Sequence, residues 1–202
     1  MTVKTLTDIA IALAAVFGSF TAWKGLTIWR EQNVWQEDNN LARRLLIALY
    51  QYRDSIYSVR HPAMAVSEME LDVGDPPDLP EDKKRSRGVI LAYSRRWERH
   101  LPQRNELDAL LIEADAVWGK KLSEMAEPLK LLEHELYAYI WLYLDAHFRG
   151  APELRAQFQK ILASKRDILY DTMDEEDEYR IDFNKKLAPL EDYLRTKMGR
   201  QR

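Results

Sequence analysis

The chain has 202 residues, 30 basic and 33 acidic, for a formal net charge of −3, and it has no cysteine. That length suits one domain of ordinary size with room for an anchor. The missing cysteines exclude disulfides, thiolate nucleophiles and thiolate zinc sites, and the near-balanced charge supplies no global field for nucleic acid. With only 7 Gly and 8 Pro, and Leu, Ala, Glu, Arg and Lys abundant, the composition points to helices rather than sheets.

The first element is the run Ile9 to Trp23, "IAIALAAVFGSFTAW", which holds no charge in a chain that is 31% charged. Extended to its flanks it covers Leu6 to Ile28, about 34 Å as a helix against a hydrocarbon thickness of about 30 Å. Its two charges, Asp8 and Lys24, lie near the ends, and Lys24 has a stem long enough to reach the headgroups. Trp23, Lys24 and Trp29 form the expected interfacial set. A cleaved signal peptide fits less well, because only Lys4 precedes the run and no convincing small-x-small site leads into a polar mature start. A soluble helix this apolar on every face would need a large enclosing domain. The expectation is therefore a single-pass transmembrane helix, with the lipid bilayer as the first partner.

Lys24, Arg30, Arg43 and Arg44 follow the span and only Lys4 precedes it, so the N-terminus is expected outside and the bulk in the cytoplasm, at a cell inner membrane. The chain as a whole has the look of bacterial inner-membrane proteins. Within the span Ala10, Ala14, Gly18 and Ala22 recur at every fourth residue. Such a stripe lets a second helix come close, which predicts a homo-oligomer.

Beyond residue 30, the positions Ala42, Leu45, Leu49, Tyr52, Ile56 and Val59 follow a heptad-type spacing with no interrupting Pro or Gly. This predicts a juxtamembrane helix over 31–61 that continues the span and ends before Pro62. Residues 62–87 lose periodicity, carry Pro76, Pro77 and Pro80 among acids, and read as a loop. Residues 88–202 are expected to form a cytoplasmic helical bundle. Pro102 is expected to kink or restart one helix, "LYAYIWLYL" marks a central helix buried on most sides and wet at its edges, and Gly150 with Pro152 marks a break. The next helix is expected to carry Leu154, Phe158, Ile161, Leu162, Ile168 and Leu169. The acids Asp174 to Glu178 then open a last helix from Glu175 to about Met198. The fold class is all-α.

Signatures of chemistry are sparse. There is no glycine-rich phosphate loop, no Gly-x-Ser-x-Gly and no His-Glu-x-x-His. None of the 4 histidines has Glu three residues before it, as di-iron bundles require. No metal site and no cofactor are expected. In "RRWERH", Arg95 and His100 resemble the Arg-x4–6-His motif of the HEPN ribonucleases, all-helical proteins that dimerise to join two such motifs around an RNA phosphate. The resemblance covers six residues, and Arg96 stands where that family usually has a small polar residue. It implies His100 as general acid or base and Arg95 on the scissile phosphate. The competing expectation is an exposed basic face of Arg95, Arg96, Arg99, His100 and Arg104, able to touch anionic lipid or acidic protein. The sequence favours a membrane-anchored protein that acts by self-association and by binding a protein partner, with no nucleic acid and no enzymatic chemistry. The alternatives are a tethered HEPN-like nuclease and an oligomeric pore.

Overall fold

A computed structural model describes residues 3–76 and 78–199, with side chains from residue 17 onward. Among the described residues there are five α-helices and no strand: α1 Val3–Arg60, α2 Glu81–Trp118, α3 Lys121–Leu144, α4 Pro152–Ala163 and α5 Glu178–Met198. A 3₁₀ turn, Val66–Glu68, lies between α1 and α2, and a π-helical turn, Asp145–Arg149, prolongs α3. The all-α class is as expected.

Helix α1 is unbroken over 58 residues, about 87 Å at 1.5 Å per residue. From Phe17 to Gln32 every side chain is exposed, and the first buried one is Leu41. From there Leu41, Ala42, Leu45, Ala48, Leu49, Tyr52, Ile56 and Val59 are buried as a single stripe. Its spacing follows the heptad pattern, which fits packing on antiparallel neighbours at a shallow angle. The stripe meets chiefly α2 and α5, and α3 closes the bundle against α5 and α2. The antiparallel register of α1 and α2 is pinned at one end by Trp118 Nε1 donating to Asp38 Oδ1 (2.7 Å). At the other end Arg96 Nη1 donates to His61 O (2.6 Å).

Among the described residues no helix holds a stretch long and apolar enough to cross a membrane. The expected transmembrane span therefore has no support there, and its residues 6–16 lie outside the described side chains.

Helix α2 begins at Glu81, inside the segment expected to be a loop. The first turns, "EDKKRSR", are good helix formers with no apolar side chain, so they leave no periodic signal. Pro102 does not restart the helix, which runs on to Trp118. The proline is exposed, so the carbonyl it leaves without a donor can turn to water. The break comes instead at Gly119, whose φ of 79° suits a residue without Cβ. Gly88 is a close-approach glycine: a Cβ there would lie 2.9 Å from Met69 O. The segment after α1 thus lies flat on α2.

Three expectations are corrected. The run "LYAYIWLYL" is apolar all round, yet only one side of α3 is buried (Leu136, Tyr139, Ile140, Leu144). On the other side Tyr137 rests on Trp97, with ring centroids 4.8 Å apart. Helix α4 ends at Ala163 and has no fully buried residue, only Leu162 resting on the core, while Ile168 and Leu169 reach the core from the irregular segment that follows. Helix α5 begins at Glu178 rather than Glu175, because Asp177 is its N-cap, accepting the Arg180 N–H at 2.7 Å.

That N-cap is also one end of a buried ion pair. Arg60, 1% exposed, donates through both Nη atoms to the two Asp177 oxygens (2.8 and 2.9 Å). It also donates to Ile168 O and Tyr170 O (2.8 and 2.7 Å) and stacks over Tyr179 at 4.5 Å. Burial alone would raise the Asp177 carboxyl, but the hydrogen bonds from Arg60, Arg180 N and Thr172 N hold it far below the usual carboxylate range. One guanidinium thereby joins the end of α1, the segment before α5 and the start of α5.

Candidate functional site

Two features stand apart from ordinary packing. The first is the N-terminal half of α1. Phe17 (70% exposed), Trp23 (65%) and Trp29 (57%) stand in solvent with Phe20, Leu26 and Ile28. The threonine hydroxyls of this stretch turn inward: Thr21 Oγ1 donates to Phe17 O (3.0 Å) and Thr27 Oγ1 to Lys24 O (2.8 Å). A threonine that satisfies itself on its own helix presents a methyl group outward, which suits apolar surroundings. Of the expected oligomerisation stripe, Ala10 and Ala14 lie outside the described side chains, while Gly18 and Ala22 are exposed. A Cβ added at Gly18 would meet nothing within 4 Å. Trp23, Lys24 and Trp29 are likewise exposed.

The second feature is a polar line inside the bundle. His100 is 1% exposed and is held from both sides. Its Nδ1 lies 2.7 Å from Ser55 Oγ on α1, and its Nε2 lies 3.1 Å from Glu133 Oε1 on α3. Tyr52 OH, one turn before Ser55, donates to Glu133 Oε2 (2.9 Å). Arg104 Nε stands 3.4 Å from Glu133 Oε1 at the outer edge. Burial alone would raise the Glu133 carboxyl, but the hydrogen bonds from His100 and Tyr52 outweigh it and hold its pKa below the ordinary value. The Tyr52 phenol, by contrast, is pushed far up by burial and by the Glu133 charge. Glu133 is therefore a carboxylate that can only accept, so the hydrogen on the imidazole faces it through Nε2. In the tautomer that carries its hydrogen on Nε2 alone, Nδ1 turns a lone pair toward Ser55.

The expected basic face is corrected by this geometry, since Arg96 and His100 are buried. Arg96 donates to Glu68, His61 O and Ala63 O, and Arg99 also pairs with Glu68. Arg95 donates to Glu68 O (2.8 Å) and Asp72 Oδ1 (2.7 Å). Arg95 thus holds the segment after α1, while His100 points between α1 and α3. The two line different grooves, Arg95 with Ser67 and Glu98, His100 with Ser55 and Gln103.

Sequence reasoning missed Ser55, Tyr52 as a polar group, and Glu133. A signal for Glu133 existed: it occupies the apolar stripe Leu129, Leu136, Ile140 at spacings of four, three and four. A charge placed there must find partners inside the bundle. His100 stands in the same way between Tyr93 and Leu107. Among the described residues no group of three or more His, Cys, Asp or Glu is placed to hold a metal ion. Searches against protein-family models, curated proteins and solved structures match nothing to this chain.

Proposed function

We propose that this is a membrane-anchored helical protein, whose N-terminal helix enters lipid and self-associates there, and whose cytoplasmic bundle works by binding a protein partner. The observation that carries this reading is the exposed apolar half of α1, from Phe17 to Trp29, which no part of the bundle covers. Six large apolar side chains, each roughly half exposed, forgo about 1 kcal/mol apiece by staying in water. The sum is comparable with the whole stability of a domain, about 5–15 kcal/mol. Lipid on the outer faces and a second copy along Gly18 and Ala22 recover it. The uncharged run upstream, Ile9 to Val16, extends the same apolar character in sequence.

The experiment uses the full chain and its lack of cysteine. After expression, membranes are washed with alkaline carbonate. The protein is expected to stay in the pellet and to leave it only with detergent. Single cysteines at Thr2 and Ser164 then report topology with a membrane-impermeant maleimide: Thr2→Cys reacts on intact cells, Ser164→Cys only after permeabilisation. In detergent, Gly18→Ile is expected to lower the cross-linked fraction at least severalfold. Recovery of the intact chain as a freely soluble monomer overturns the reading.

A further inference from the structure

The line Ser55–His100–Glu133 has the order hydroxyl, imidazole, carboxylate, with separations of 2.7 and 3.1 Å. That is the arrangement by which a base activates a nucleophile while a third group orients the base. A line serving only to join helices has no need of an opening. Here the Ser55 end is open: Ser55 is half-buried and lies with His100, Gln51, Arg99 and Gln103 on the wall of a groove of about 380 Å³. The Ser55 hydroxyl donates to Tyr52 O (2.7 Å), and its oxygen lies 2.7 Å from His100 Nδ1, which accepts from it in the Nε2–H tautomer. Rotation about Cβ–Oγ carries its hydrogen from one to the other.

We propose that this groove is an acyl-transfer site, in which Ser55 is acylated by a small ester, His100 is the base and Glu133 positions His100. Ser55 Oγ adds to the ester carbonyl carbon as its proton passes to His100 Nδ1. The adduct collapses with cleavage of the ester C–O bond, and the leaving oxygen takes that proton and departs as the alcohol. Water then adds to the acyl carbon, giving a proton to Nδ1. The acid leaves as the Ser55–acyl bond breaks, and Ser55 recovers its proton from His100. The balance is ester plus water to acid plus alcohol. The groove mixes charges, with Asp54, Glu106, Arg96 and Arg99 all on its lining, so it suits a small polar ester rather than a long acyl chain.

The Ser55 backbone N–H belongs to the ladder of α1, so no backbone pair is free to hold the oxyanion. Arg99, with 61% of its side chain exposed and one Nη on Glu68, is the mobile donor at the groove, and the Gln103 amide, whose nitrogen serves Arg99 O in its satisfied orientation, reaches it only by rotating. A single preorganised oxyanion donor is worth about 10²–10³ in rate. Mobile side-chain donors give less, so acylation is expected to outrun a slow deacylation.

The test uses the full chain in detergent with p-nitrophenyl acetate and, separately, a fluorophosphonate probe. The expected result is a p-nitrophenolate burst of about one equivalent per chain, with the fluorophosphonate adduct on the peptide containing Ser55. Ser55→Ala abolishes both. His100→Gln, which keeps a hydrogen-bonding side chain there, retains the helical circular dichroism but slows acylation about 10²–10⁴-fold. Glu133→Gln moves the acid limb of the pH–rate profile to lower pH, because the protonated base loses its carboxylate; a role confined to packing would lower the amplitude without moving the limb. An unmodified Ser55 in folded protein, an adduct at another residue, or undiminished acylation in folded His100→Gln each overturns the proposal.

Discussion

The two halves of α1 belong to one uninterrupted helix and obey opposite rules. Between Phe17 and Gln32 apolar side chains occur on all sides and none is buried; between Leu41 and Arg60 most of them form one buried stripe, with Ile47 (51% exposed) the exception outside it. The backbone hydrogen bonds are the same in both, so the difference lies in what surrounds the helix. A stripe specifies a partner surface within the chain, whereas all-round apolarity specifies a medium or another chain. The helix therefore owes its C-terminal half to tertiary packing and its N-terminal half to local propensity and whatever covers it.

The contrast breaks most visibly at the arginines. Arg60→Ala leaves the Asp177 carboxylate buried without its bidentate partner, and removing one side of such a pair costs about 3–5 kcal/mol. Arg30→Ala, on the exposed half of the same helix, is expected to leave the bundle unchanged; urea unfolding followed by near-ultraviolet circular dichroism measures both. The leucines sharpen the contrast. Leu45→Ala, at a position 1% exposed, is expected to cost about 2–5 kcal/mol, and Leu26→Ala less than about 0.5 kcal/mol in the same assay. Comparable costs at the two sites would mean that the N-terminal half is packed as the C-terminal half is.

A further effect is a pH dependence that belongs to the packed region. Burial alone would raise the Glu68 carboxyl, but hydrogen bonds from Arg96 and Arg99 bring it down from 4.5 to about 2. A folded-state value below the unfolded one means that this stabilisation is fully present above about pH 4.5. It is lost as pH falls through the folded value. Urea midpoints are expected to drop between about pH 4.5 and about pH 2, and Glu68→Gln makes the profile shallower in that window, Asp177 and Glu133 supplying the remaining slope.

The helices with a regular apolar period were legible in the residues. The seam from Ala42 to Val59 and the core positions Ile90, Tyr93, Leu107, Leu111 and Ala114 lie where their spacing puts them. The boundaries were not. Helix α2 starts in a polar stretch, and α5 waits for Asp177, because a cap is chosen by its tertiary partner Arg60 as well as by local propensity. Ile168 and Leu169 show the reverse: apolar residues that continue a helical period but are buried from irregular backbone. Pro102 could not be read alone, since its effect depends on whether it faces water or core. The polar line was hidden because Ser55, His100 and Glu133 are far apart in the chain. Only the register of three helices brings them into one plane of contacts.

No proline occurs from Val3 to Arg60, and the ladder of α1 is continuous through that range. The helix is thus a stiff rod shared by its exposed end and by Ser55, Tyr52 and Arg60. From Phe20 to Arg60 it is about 60 Å long, so tilting it by about 10° sweeps one end through about 10 Å relative to the other. Any force that reorients the outer end arrives as torque on the seam against α2 and α5. Hydrogen bonds such as those from Ser55 and Tyr52 tolerate displacements of only tenths of an ångström.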